Sequence, residues 1–228
     1  LKRSIKRILV LGILFSSFVW AQESNFTQNL PQENAMQSEG IITSDKPKVL
    51  LQTNLGDIEL ELYPDKAPIS VENFLKYVND GFYDGLIFHR VVYNFVIQGG
   101  GFDANLVQKT PIYLPIKSES DNGLNNDKGT LAMARTNDPN SATSQFYINL
   151  RDNKDLNHDS NPPNAVSPFG IKSVQPKVGY TVFGKVTKGM DVVNKIAKSD
   201  IVARGGMKDV PKNPITISKA SVLVGNED

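Results

Sequence analysis

From Val49 onward the chain switches between two periods. In VLLQTNLGDIELELYP, Ile58, Leu60 and Leu62 alternate with Asp57, Glu59 and Glu61 behind the turn cluster Asn54-Leu55-Gly56-Asp57, which predicts a half-buried β-hairpin. In PISVENFLKYVNDG, Val71, Phe74, Leu75 and Val78 fall at i, i+3, i+4 and i+7. That spacing predicts one amphipathic helix, with Ser70 as its N-cap and Gly81 as its stop. Short apolar runs follow, parted by Gly, Asn, Asp and Pro: the Phe88 region, GTLAMA, SQFYINL, YTVFGKV and ITISKASVLV. Between the last two, GMDVVNKIAK sets Met190, Val193, Ile196 and Ala197 at helical spacing. Many short strands with only two helices predict an all-β dominated domain, closed or nearly closed and antiparallel.

The first residues follow neither period. Lys2, Arg3, Lys6 and Arg7 precede an apolar run from Ile8 to Trp20 and then Ala21. Basic, apolar and small residues in that order predict a secretory signal over 1–21, and the run is shorter than the ~20 residues of a membrane-spanning helix. Residues 22–48 are rich in Gln, Asn, Ser and Glu without a period, the composition of a flexible polar leader. The domain is then expected over 49–225, in a periplasmic or secreted protein. The absence of cysteine excludes disulfides and thiol chemistry. A formal charge of +1 gives no basic surface for a nucleic-acid partner.

The run FHRVVYNFVIQGGGF places His89, Arg90 and Gln98 among valines and phenylalanines. A guanidinium cannot shed its charge, so at such a position it needs a partner or a task. With the turn at Tyr93-Asn94, a two-residue loop would set Arg90 across from Ile97. A three-residue loop would pair Val92 with Val96 and Arg90 with Gln98. Only the second register gathers the polar pair on one face.

This run, followed by GTLAMARTNDPNSATSQFYI and YTVFGKVTKGMDVV in the same order, resembles the cyclophilin family of peptidyl-prolyl cis-trans isomerases. The resemblance implies a closed eight-stranded antiparallel β-barrel capped by two α-helices, with the site on its outer face. It also implies roles. Arg90 matches the family's catalytic arginine, Phe95 and Gln98 match pocket residues, with Gln98 also placed by the three-residue register to fix the guanidinium, and Val96 stands at a substrate-pocket position where many members have Met. Ala134, Arg135 and Thr136 match the segment whose backbone pairs with a bound peptide, so at Arg135 the match is to main chain. Gln145 matches a further polar contact, Tyr147 stands where Phe is usual in the proline pocket, Leu156 matches a pocket wall, and Tyr180 stands where many members have His.

Asp155 departs from the family, which has Trp or Phe there; the resemblance then implies weak cyclosporin binding. Residues 159–178 are Pro-rich and resemble an insertion at the pocket rim. The implied function is rotation of X-Pro bonds in unfolded or exported proteins, by a monomer that needs no metal or cofactor. Tyr147 and Asp155 motivate an alternative, a proline-peptide binding module or chaperone without catalysis. His89 is expected to be a hydrogen-bonded support facing away from Arg90. Neither His89 nor His158 lies in a His-Glu-x-x-His pattern, and no serine sits in a Gly-x-Ser-x-Gly elbow.

Overall fold

The computed structural model describes residues 46–160 and 177–224. The expected signal, all but the end of the leader and most of the insertion lie outside these residues. Strands β1 (Lys48–Thr53) and β2 (Gly56–Leu62) form the expected hairpin, and Lys48 opens the first strand rather than closing the leader. Ile58, Leu60 and Leu62 are buried, as their alternation requires. Glu59 breaks the pattern: it is buried too, with its carboxylate 2.9 Å from Lys188 Nζ and 3.4 Å from Lys48 Nζ. The hydrogen bond from Lys188 is the main reason its carboxyl titrates below the ordinary range.

Helix α1 (Pro68–Asn79) follows. Ser70 is not its N-cap: the helix starts two residues earlier, after Ala67, which has no side-chain acceptor. The orphan amides of Ile69 and Ser70 donate to the Glu119 carboxylate at 2.9 Å each, and the Ser70 hydroxyl joins them at 2.7 Å. Gly81 does end the helix. At φ 62° its N–H donates to Val78 O while that of Phe82 donates to Tyr77 O, each at 3.0 Å.

The chain continues through β3 (Leu86–Val92), β4 (Val96–Asp103), β5 (Thr130–Met133), β6 (Phe146–Asn149) and a 3-10 turn at Lys154–Leu156. Then come β7 (Val182–Lys188), helix α2 (Met190–Ala197), β8 (Ile201–Arg204), β9 (Met207–Pro211) and β10 (Ile217–Leu223). Eight strands form one antiparallel sheet in the order β10-β1-β2-β7-β5-β6-β4-β3. Bulges in β1, β2, β3 and β5 bend it. The other two strands form a separate β8–β9 ribbon that the pattern of apolar positions did not predict.

The expected closed barrel is an open, curled half-barrel. Its edge strands β3 and β10 share no ladder and meet through the bridge Ile87–Thr216 and the bonds Gly85 N–H to Ile217 O and Phe88 N–H to Ile215 O. β9 lies beside β3, and β10 has its full ladder with β1 alone.

Both helices bury apolar faces in the concave side of the sheet. Phe74 of α1 packs at 5.3 Å from Phe183 and edge-on at 5.5 Å from Phe146, and Val193 and Ile196 of α2 join the same core. Each such side chain contributes roughly 1.5–3 kcal/mol by leaving water. This core fixes the inner face of β4 and β6, and thereby aims their alternate residues outward.

Candidate active site

The β3–β4 turn decides what that outer face carries. Phe95 N–H donates to Val92 O at 3.0 Å, Asn94 takes φ 54°, Val92 pairs with Val96 and Arg90 pairs with Gln98. This is the three-residue register. Ile97 therefore points into the core and Val96 and Gln98 away from it; on β6, Phe146 and Ile148 point in and Tyr147 points out. Val96, Ala132, Tyr147 and Val182 form a second apolar cluster outside the sheet, flanked by Phe95, Ala134, Leu156 and Tyr180.

A cleft of about 260 Å³ opens over this cluster. Its apolar walls are Phe95, Val96, Tyr147, Leu156 and Tyr180, its rim is Ala134 and Arg135, and its polar end is Arg90 and Gln98. Arg90 Nη1 lies 3.4 Å from Gln98 Oε1, a long contact, and Gln98 Nε2 donates to Gln145 Oε1 at 3.0 Å. Gln145 thus supports Gln98 from behind. Its amide crosses over Gly101, where an added Cβ would come within 2.6 Å of Gln145 Cδ. Among the described residues Arg90 pairs with no carboxylate, so its charge is not spent on an ion pair. Thr136 is the one expected site residue outside both the cleft and its support; it is exposed and bonded to Ser141.

Tyr147 explains how a phenol fits an apolar slot. Its hydroxyl donates to Asn126 Oδ1 at 2.7 Å, and burial raises its titration well above the ordinary tyrosine value, so it stays neutral. Asn126 also takes Asn149 Nδ2 at 3.2 Å and donates to Leu156 O at 3.1 Å and Tyr180 O at 3.4 Å. One buried amide therefore ties together three walls of the cleft. Sequence reasoning missed Asn126, which lies in a loop without a period; an asparagine-rich stretch at Asn122, Asn125 and Asn126 was the only local signal.

Asp155 is exposed on the 3-10 turn beside Leu156. His89 meets its expectation only in part. It has a hydrogen bond with the Ile87 backbone, but its Nδ1 is buried without a partner, its ring lies 4.6 Å from that of Phe102 at a tilt of 51°, and burial outweighs the Ile87 bond and lowers its titration to about 4. The bulge between Phe88 and Arg90 also brings it to a groove that Arg90 shares, instead of the opposite side. Among the described residues no cluster of three metal-ligating side chains occurs.

Residues 48–222 match the family described as cyclophilin type peptidyl-prolyl cis-trans isomerase/CLD. The chain belongs to the cyclophilin-type isomerase family. It is 51% identical over 174 residues to the peptidyl-prolyl cis-trans isomerase of Acinetobacter baylyi, covering 76% of this chain and 84% of that protein. It is 49% identical over 175 residues to peptidyl-prolyl cis-trans isomerase B of Escherichia coli, covering 76% and 98%. Among solved structures, a Cryptosporidium parvum cyclophilin in the presence of the dipeptide Ala-Pro is similar at TM-score 0.61 and 27% identity, over 78% of this chain and 99% of that one. This cyclophilin is accordingly a peptidyl-prolyl cis-trans isomerase, and its substrates are proline-containing polypeptides.

Proposed function

We propose that the isomerase works through Arg90 acting on the prolyl nitrogen of a chain whose proline ring sits in the cleft. The observation that carries this is an arginine that has no carboxylate partner among the described residues, placed beside Gln98 at the polar end of an otherwise apolar slot. Peptide rotation faces a barrier of ~18–20 kcal/mol because the nitrogen lone pair is shared with the carbonyl. A donor aimed at that nitrogen stabilises the pyramidal, unconjugated geometry of the twisted state. Arg90 supplies a permanently charged donor; Gln98, held by Gln145, limits where it can point.

A charge-assisted hydrogen bond contributes ~1.5–3 kcal/mol, which is about one to two decades of rate. The rest falls to the slot. Phe95, Val96, Tyr147 and Leu156 hold the ring dry and still while the preceding carbonyl swings, and Ala134 to Thr136 offer backbone partners to the peptide. The Ala-Pro dipeptide with the similar C. parvum protein supports an X-Pro ligand here. The engagement of the Tyr147 hydroxyl by Asn126 and the exposure of Asp155 on the 3-10 turn favour turnover over binding alone.

The order of basic, apolar and small residues over 1–21 supports export to the periplasm or beyond, with unfolded exported chains as clients. The proposal is tested by following cis-trans exchange of an X-Pro peptide with wild type and Arg90→Ala. Loss of at least about tenfold in turnover is expected, in line with one or more decades from Arg90.

A further inference from the structure

Arg135 entered the account for its main chain, yet its guanidinium is the most heavily engaged in the site. Nη1 donates to Thr136 O at 2.9 Å, Nη2 to Val178 O at 2.8 Å and to Gly179 O at 3.1 Å, and Nε reaches Gly179 O at 3.3 Å. The Arg135 Cζ lies 4.4 Å from the centre of the Tyr180 ring, and that ring meets Tyr147 edge-on at 5.8 Å. Among the described residues no carboxylate competes for this cation.

The segment it grips is otherwise held at its far end. Residues 178–181 lie outside any strand; Tyr180 N–H donates to Leu156 O at 2.9 Å, Tyr180 O accepts from Asn126 Nδ2 at 3.4 Å, and Thr181 accepts from Met133 N–H at its carbonyl and from Glu119 N–H at its hydroxyl, each at 3.0 Å, whereas the carbonyls of Val178 and Gly179 are the ones that Arg135 takes. Just before, Asp159 and Lys177 exchange both backbone bonds, at 3.0 and 2.9 Å. Gly179 crosses the chain so closely that a Cβ there would lie 2.2 Å from His158 N. A planar fork that bonds adjacent carbonyls and stacks on a ring is what the crossing requires, and a lysine ammonium offers neither the fork nor the plane.

We infer that Arg135 is a positioning residue of this isomerase, which acts through Tyr180 to set the wall of the proline cleft against the segment Ala134–Thr136. Four of its five N–H donors are engaged by protein carbonyls, so it acts on the peptide through the ring it holds. The inference rests on the isomerase reading only in taking an X-Pro peptide as the ligand.

The test is a double-mutant cycle on the full chain with Arg135→Gln, Tyr180→Ala and their combination. An Ala-Pro-containing peptide is titrated by NMR for Kd, and its exchange is followed for kcat. Arg135→Gln should weaken Kd about fivefold, or ~1 kcal/mol at about 1.4 kcal/mol per decade, with kcat nearly kept. In the Tyr180→Ala background the same change should alter Kd by less than about twofold, the coupling expected of groups that act as one. An unchanged Kd in a variant with native melting, or effects that simply multiply, would overturn the inference. If Arg135→Gln does not fold, Arg135→Lys decides: it keeps the charge but not the fork, and wild-type affinity in it overturns the inference. A wild type that binds without turnover would defeat the isomerase mechanism while the Kd cycle still reads the wall.

Discussion

Removing the Asn126 side chain should destabilise the domain more than removing the hydroxyl it holds. Asn126→Ala leaves the Tyr147 hydroxyl without its acceptor at a residue only 4% exposed, and it releases the carbonyls of Leu156 and Tyr180. A stranded buried hydroxyl costs ~1–3 kcal/mol and each ordinary hydrogen bond adds ~1 kcal/mol. Asn149 is cushioned, because its Nδ2 also donates to Thr130 Oγ1 at 2.9 Å. The total loss should be about 3 kcal/mol. Tyr147→Phe removes donor and need together, and Asn126 Oδ1 keeps Asn149 as a donor at 3.2 Å, so the loss should be about 1 kcal/mol. In the double variant no hydroxyl is stranded, and the combined loss should fall short of the sum by ~1 kcal/mol. Urea unfolding at constant slope measures all three. An Asn126→Ala protein within about 0.5 kcal/mol of wild type, or losses that add in full, would refute the reading of Asn126 as the hub of the cleft.

Two further perturbations follow from other residues. Burial holds His89 near 4 against an ordinary 6.5, so below about pH 6.5 the unfolded chain takes up a proton that the fold refuses. Stability should therefore fall between pH 6.5 and 4 by on the order of 3 kcal/mol and then level off for this group. His89→Phe should flatten that part of a stability-versus-pH curve; an unchanged slope would contradict it. In Gly101→Ala the new Cβ meets Gln145 Cγ, Cδ and Nε2, the mobile end of a side chain, within 2.6 to 2.7 Å. Gln145 should swing off Gln98, lowering turnover about fivefold through the loss of ~1 kcal/mol of alignment, with melting little changed. A variant that keeps full turnover would remove Gln145 from the support of the site.

The parts of this molecule that were legible are those set by neighbours in sequence. Alternation placed the β1–β2 hairpin, helical spacing placed α1 and α2, and the turn at Asn94 set Arg90 opposite Gln98. What stayed hidden is long-range or exposed. Glu119 caps α1 from 49 residues away at Ser70, and neither Pro68 nor Ala67 hints at it. The β8–β9 ribbon carries the Gly205-Gly206 turn, with φ 60° and 77°, but β8 is exposed throughout and so lacks the apolar alternation that marked the other strands. Whether the sheet closes depends on how β3 and β10 meet, which no local pattern encodes. The Arg135 fork was hidden for a different reason: the resemblance assigned that position to its backbone, and its acceptors lie at Val178 and Gly179, beyond the Pro-rich stretch.

The central claim is that a permanently charged donor at Arg90, steadied by Gln98, lowers the barrier to X-Pro rotation. NMR exchange of a short X-Pro peptide with wild type and Arg90→Ala side by side tests it most directly, with the amide spectrum of each protein confirming the fold. Arg90→Ala should lose turnover by at least about tenfold while peptide-induced shifts persist, because the apolar slot is intact. A folded Arg90→Ala protein that turns the peptide over at the wild-type rate would contradict the account.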